Sequence, residues 1–159
     1  MPKNLNFLIL TFLFTTTFLF SQSHIQKKTL HIKRSHNKAP KIDGFLTDDA
    51  WKGLEIAKDF VMLEPNNGEK ENPDLRTEVK VLYDDEAIYV AAMLYHPDPS
   101  KIAKEFTSRD NYGQADHFTL LLNPNNDGIN ATEFEVLITG TQVDAKVSNG
   151  DEDHSWSAV

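Results

Sequence analysis

Short runs of alternating apolar and polar residues, spaced roughly ten residues apart and separated by Gly-, Pro-, Asn- and Asp-rich breaks, predict an all-β protein. The expected architecture is an antiparallel β-sandwich of the jelly-roll or immunoglobulin-like kind. The chain has 159 residues, 40% of them hydrophobic, with 24 acidic against 16 basic side chains and no cysteine. That composition fits one ordinary domain with additions at its ends and excludes a disulfide-stapled scaffold.

The first of these additions is an apolar run. Residues 7–20 (FLILTFLFTTTFLF) hold five of the ten Phe and contain only Thr as a non-apolar type. Lys3 precedes the run and Ser21-Gln22-Ser23 follows it, the layout of a secretory signal peptide cleaved after Ser21. A helix of that length rises only about 21 Å, short of the ~30 Å hydrocarbon core. The expectation is export, to the periplasm, outer membrane or extracellular space, with residues 22–28 as a linker. Between Gln22 and Ile42 there are six basic residues and no acid, whereas from Asp43 onward nine basic residues face 24 acidic ones. A solvated leading segment accounts for the basic run, and an acidic exported domain with three Arg does not suit nucleic acid.

Strands are expected in order. TLHIK (29–33) sets Leu30 and Ile32 on one face. TEVKVLY (77–83) and IYVAAMLY (88–95) form a hairpin through Asp84-Asp85-Glu86, its second strand buried on both faces. HFTLLLN (117–123) and TEFEVLI (132–138) form another, across a turn-forming Pro124-Asn125-Asn126-Asp127-Gly128. VDAKV (143–147) follows. One short helix is expected in LTDDAWKGLEIA, capped by Thr47 and limited by Gly53, with Trp51 in the core. Residues 66–74 are an exposed loop. Strand-forming residues continue through Ser155–Val159 without a stop signal, so residues 29–159 are expected to be an incomplete sandwich within a longer chain.

Catalytic signatures are absent: there is no GxSxG, no HExxH and no phosphate-binding Gly loop. The six His are dispersed without metal-ligand spacing, and each reads as a surface residue. Asn123, Asn125, Asp127 and Gly128 begin like a calcium loop, but Phe134 stands where a bidentate Glu belongs, so a hairpin turn is expected. Asp144, Asp151 and Asp153 are candidate oxygen ligands for Ca²⁺, set against a solvated acidic loop. The segment 107–116 combines Arg109, Tyr112, Gln114 and Asp116 just before a strand. A flat ring, fork-shaped donors and acceptor oxygens are the groups that recognise sugars. The alternative is that Arg109 and an Asp form a structural pair supporting the loop.

Several motifs resemble those of family 9 carbohydrate-binding modules: Lys41-Ile42-Asp43-Gly44 followed by Asp48 and Trp51, the run Val81–Val90, Pro97-Asp98-Pro99, and Gln114 and Asp116 before the strand to Asn123-Pro124. Asp151 to Val159 is similar to the acidic stretch leading to a Trp. The resemblance covers about residues 29–159 and implies a β-sandwich that binds xylan- or cellulose-type polysaccharide, with structural calcium. Arg109-Asp110 and the long Asn-Asn-Asp-Gly turn look more like the N-terminal domain of large bacterial envelope proteins, in which membrane contact comes from a downstream barrel. Tyr112-Gly113 departs from the family, which places Trp there. The expected function is non-catalytic carbohydrate binding through Arg109, Tyr112, Gln114 and Asp116. The alternatives are a structural or interaction domain of an outer-membrane protein, and an accessory domain of a glycoside hydrolase whose catalytic part lies elsewhere.

Overall fold

The computed structural model describes residues 27–36 and 38–158. The expected leader lies outside them. Among the described residues seven strands form two sheets: β1 (Lys33–Arg34), β2 (Thr77–Tyr83) and β3 (Ile88–Leu94) in one, and β4 (His117–Leu122), β5 (Asn130–Leu137), β6 (Gln142–Ser148) and β7 (Asp151–Asp153) in the other. The protein is therefore all-β, with helical structure among the described residues limited to three single 3₁₀ turns.

Turn chemistry sets both expected hairpins. At the β2–β3 turn, Asp84 Oδ1 accepts the amides of Glu86 and Ala87 at 2.8 and 2.9 Å, while Tyr89 donates its hydroxyl to Oδ2 at 3.0 Å. These donors hold the Asp84 carboxyl below the usual carboxylate range. At the β4–β5 turn, Asp127 Oδ1 accepts the Ile129 and Asn130 amides, each at 2.9 Å, and Oδ2 accepts Asn130 Nδ2 at 2.9 Å. An Asp that gathers the backbone donors of its own turn is a turn-former, and its carboxyl too lies well below the ordinary range.

Four expectations are corrected. The helix of residues 46–57 is a single 3₁₀ turn, Asp49–Trp51. Asp48, not Thr47, precedes it, and the Asp48 carboxylate serves the Lys41 amide instead of the turn. Gly53 then takes φ +66, and Ala57 pairs with Val79 through two backbone bonds of 2.8 and 2.9 Å, so the sheet draws the second half of the segment into extended structure. The strand at 29–33 shrinks to Lys33–Arg34, parallel to β2; Ile32 is exposed, and the His31 amide bonds the Glu55 side chain rather than a strand neighbour. β3 is not buried on both faces: it pairs only with β2, and Ile88, Met93 and Leu94 are exposed. The acidic stretch 151–153 is a strand, not a loop, turned back on β6 by Asn149 and Gly150 at φ 53 and 88, the left-handed pair that a two-residue hairpin needs.

The first sheet packs Leu82 and Ala91 against Trp51, with Leu46, Ala50, Leu54 and Tyr89 around them. Trp51 is 3% exposed and its indole Nε1 finds no partner among the described residues, so the ring is held by packing. The second sheet buries Leu137, Val143 and Ala145. Trp51 and residues of both sheets, among them Leu94, Phe118, Phe134 and Val136, line one cavity of about 700 Å³.

Trp51→Ala should cost about 3–5 kcal/mol in denaturant unfolding, because the indole fills the space between the 3₁₀ turn and the first sheet. Phe106→Ala, at a residue 80% exposed, should change stability by less than about 0.5 kcal/mol.

Candidate functional site

The segment 103–116 folds back on itself and lies along β6. Asp116 N donates to Ala103 O at 2.8 Å and Glu105 N to Gln114 O at 3.0 Å, and the Glu105 carboxylate accepts the Gln114 amide at 2.8 Å. Two further bonds fasten the tip: Asp110 N to Gln142 O at 3.1 Å and the Thr141 hydroxyl to Thr107 O at 3.0 Å. Asp110 and Gly113 adopt φ 60 and 56, the left-handed conformations that let the chain double back.

Arg109 is committed internally. Its guanidinium donates to Gln142 Oε1 at 3.0 Å and to Asp144 Oδ2, with Asp110 Oδ2 3.6 Å from its Nε. The Asp144 side chain is 4% exposed, and its other oxygen accepts the Ala158 amide at 3.1 Å. A buried carboxylate costs several kcal/mol unless it is paired and hydrogen-bonded. Arg109 is thus the structural partner of Asp144 that the second reading of the loop anticipated.

Tyr112 lies on the other face of the sheet. Register sets Gln142 and Asp144 beside Val136 and Phe134, and places Glu133 and Glu135 opposite Ala145 and Val143 on the reverse side. The Tyr112 ring meets His117 and His154 edge-on, at centroid distances of 6.4 and 5.9 Å, and its hydroxyl reaches Glu152 at 3.5 Å. Burial, then the charges of Glu133, Glu152 and Glu135, push its phenol well above the ordinary value. The two His expected as isolated surface residues are therefore joined by one ring. Gln114 and Asp116 are exposed, and their side chains have no partner among the described residues. Asp116 borders a cavity of about 520 Å³ together with Tyr95, His96 and His117. The expected set is split: Arg109 and Tyr112 occupy opposite faces and each is hydrogen-bonded within the protein, whereas the side chains of Gln114 and Asp116 have no partner among the described residues.

The candidate calcium ligands are not gathered either. Asp151 sits across from Ser148 and Asp153 across from Lys146, while Asp144 lies two residues farther along β6 and is occupied by Arg109. The Asp153 carboxylate caps the Ser155 amide at 2.9 Å. Among the described residues no group of three or more acidic, His or Cys side chains is arranged to hold an ion.

The feature that sequence reasoning missed is the buried pair Glu133 and Glu135, 5% and 6% exposed, while Phe134 and Val136 between and beyond them are 37% and 45% exposed. Alternation alone assigns the inner face to the apolar residues. The signal was the spacing Glu-x-Glu, which sets two carboxylates on one face of a strand. Burial and the charges of Glu152 and Glu135 raise the Glu133 carboxyl above its ordinary value, against the opposing pull of His154 and His117. No family model, curated protein or solved structure matches the chain.

Arg109→Ala should lower stability by about 1–3 kcal/mol in thermal or denaturant unfolding, since it leaves the Asp144 carboxylate buried without its cation. Gly113→Ala should be costly as well, by more than about 1 kcal/mol. Its new Cβ would enter the Thr107 methyl at a φ that disfavours any side chain.

Proposed function

We propose that this chain is a non-catalytic carbohydrate-recognition domain of an exported protein, binding through the Gln114–Asp116 edge and the neighbouring cavity. The observation that carries the reading is the unpartnered Asp116 carboxylate opening on a 520 Å³ recess bordered by Tyr95, His96 and His117. A free carboxylate and a free amide beside it supply paired acceptors and donors for vicinal hydroxyls, and ring edges supply the apolar contact. The Tyr95 ring has one face covered by the Arg76 guanidinium, 3.5 Å from its centroid, which braces it without filling the recess. The motif resemblance to family 9 carbohydrate-binding modules supports the same class of ligand, xylan- or cellulose-type polysaccharide. Export follows from the signal-like run at residues 7–20.

Solvent competes for every hydroxyl on so open a surface, so the dissociation constant should be on the order of 10⁻⁴ M. In calorimetry with xylan- and cello-oligosaccharides, Asp116→Ala should weaken binding about tenfold or more, the loss of a charged hydrogen bond. Arg109→Ala and Tyr112→Ala should instead act through the loop and appear first as lower stability. A folded protein that gives no heat with a broad neutral-glycan panel at millimolar concentration would sink the reading. In that case an interaction domain of an envelope protein takes its place. The observation in favour of that second reading is the apolar surface left open on the cavity between the sheets by Leu94, Phe134 and Val136.

A further inference from the structure

The sheet face beneath Tyr112 holds more negative charge than its surroundings neutralise. Thr119 donates to Glu135 Oε2 at 2.6 Å, but Glu135 Oε1 is buried without a partner. From β4, His117 Nε2 lies 3.9 Å from Glu135 Oε2. From β7 and the residue after it come Glu152 and His154, 3.3 Å apart. β6 offers only Val143, Ala145 and Val147 to this face. The covering loop brings Tyr112, and its Glu105 carboxylate is spent on the Gln114 amide. Among the described residues no Lys or Arg lies within 4.0 Å of Glu133, Glu135 or Glu152.

We propose that the buried Glu133 and Glu135 pair forms a proton-operated latch, in which a proton held by the pair keeps the 103–116 loop seated on the sheet and its loss as pH rises loosens it. Two carboxylates one strand repeat apart, about 6–7 Å, cannot both ionise cheaply under a cover that excludes water. A proton on Glu133 relieves the repulsion between them. Opening the loop achieves the same relief by admitting water.

The direction follows from linkage. Because the folded Glu133 carboxyl is raised, chiefly by burial, its contribution is fully present below the ordinary value of 4.5 and fades as pH climbs through the folded one. A bound cation would need converging ligands, and among the described residues no group of three is arranged to hold one.

Hydrogen-exchange mass spectrometry of the whole protein at about pH 5 and about pH 8, corrected for intrinsic rates, tests the latch and uses no sugar. Amides of 103–116 should lose protection by up to about tenfold per pH unit for each proton released, while β2 and β3 stay unchanged. Glu133→Gln combined with Glu135→Gln keeps shape and removes charge, and should hold the loop protected at both pH values. Equal protection of the wild-type loop at both pH values would overturn the proposal, as would an undiminished pH response in the double variant. So would protection at pH 8 that added calcium restores or protection at pH 5 that a chelator removes, since an ion rather than protons would then hold the face. If the double variant fails to fold, Glu133→Gln alone must flatten the response for the latch to stand.

Discussion

One ion pair organises the second sheet: Arg109 on Asp144. Asp144 is a charged residue in the buried middle of β6, flanked by Val143 and Ala145, and it is tolerable there only because every side of it is used. The guanidinium takes one oxygen, the Ala158 amide takes the other, and Asp110 reaches back to the Asp144 amide at 3.4 Å. Three separate stretches of chain thereby meet at one strand position. The loop is pinned at its tip, the segment after β7 is drawn across the sheet, and Arg109 is committed to the pair.

The pin also divides the loop's work between two faces. Arg109, just before the left-handed turn at Asp110, borders the cavity between the sheets; after the second turn, at Gly113, the chain runs into β4. Tyr112, between the two turns, is laid over the carboxylate face, where it is more a cover than a stacking platform. Gln114 and Asp116, after the second turn, remain outward. The free surface of the loop is thus what its own anchoring leaves unused, and a polar, partly aromatic rim is what a weak sugar contact requires.

Local chemistry was readable from the sequence, while long-range pairing was not. Both hairpins followed from alternation and from Asp residues that serve their own turns, Asp84 and Asp127, whose backbone partners lie within three residues. The helix at 46–57 failed because Ala57 is claimed by Val79, more than twenty residues away, and no local pattern reports that. β7 was missed although Asn149-Gly150 announces a tight hairpin, because its three acidic residues read as a solvated tract. At the site, the residue types in 109–116 were legible but their sides were not. Arg109 finds its partner 35 positions on, and only the register of β5 and β6 tells which face each strand residue occupies.

The outer edge of β3 carries a consequence for behaviour in solution. Its sequence, IYVAAML, contains no charge and no proline, the devices that keep exposed edges from pairing with one another. Among the described residues that edge is unpaired, and apolar side chains lie exposed along it. What opposes edge-to-edge association is the net charge of −8, a repulsion that acts at long range and weakens as salt shortens the Debye length. The colloidal character of the protein is therefore set by ionic strength: dispersed when its charge is felt, and drawn toward strand exchange when the charge is screened.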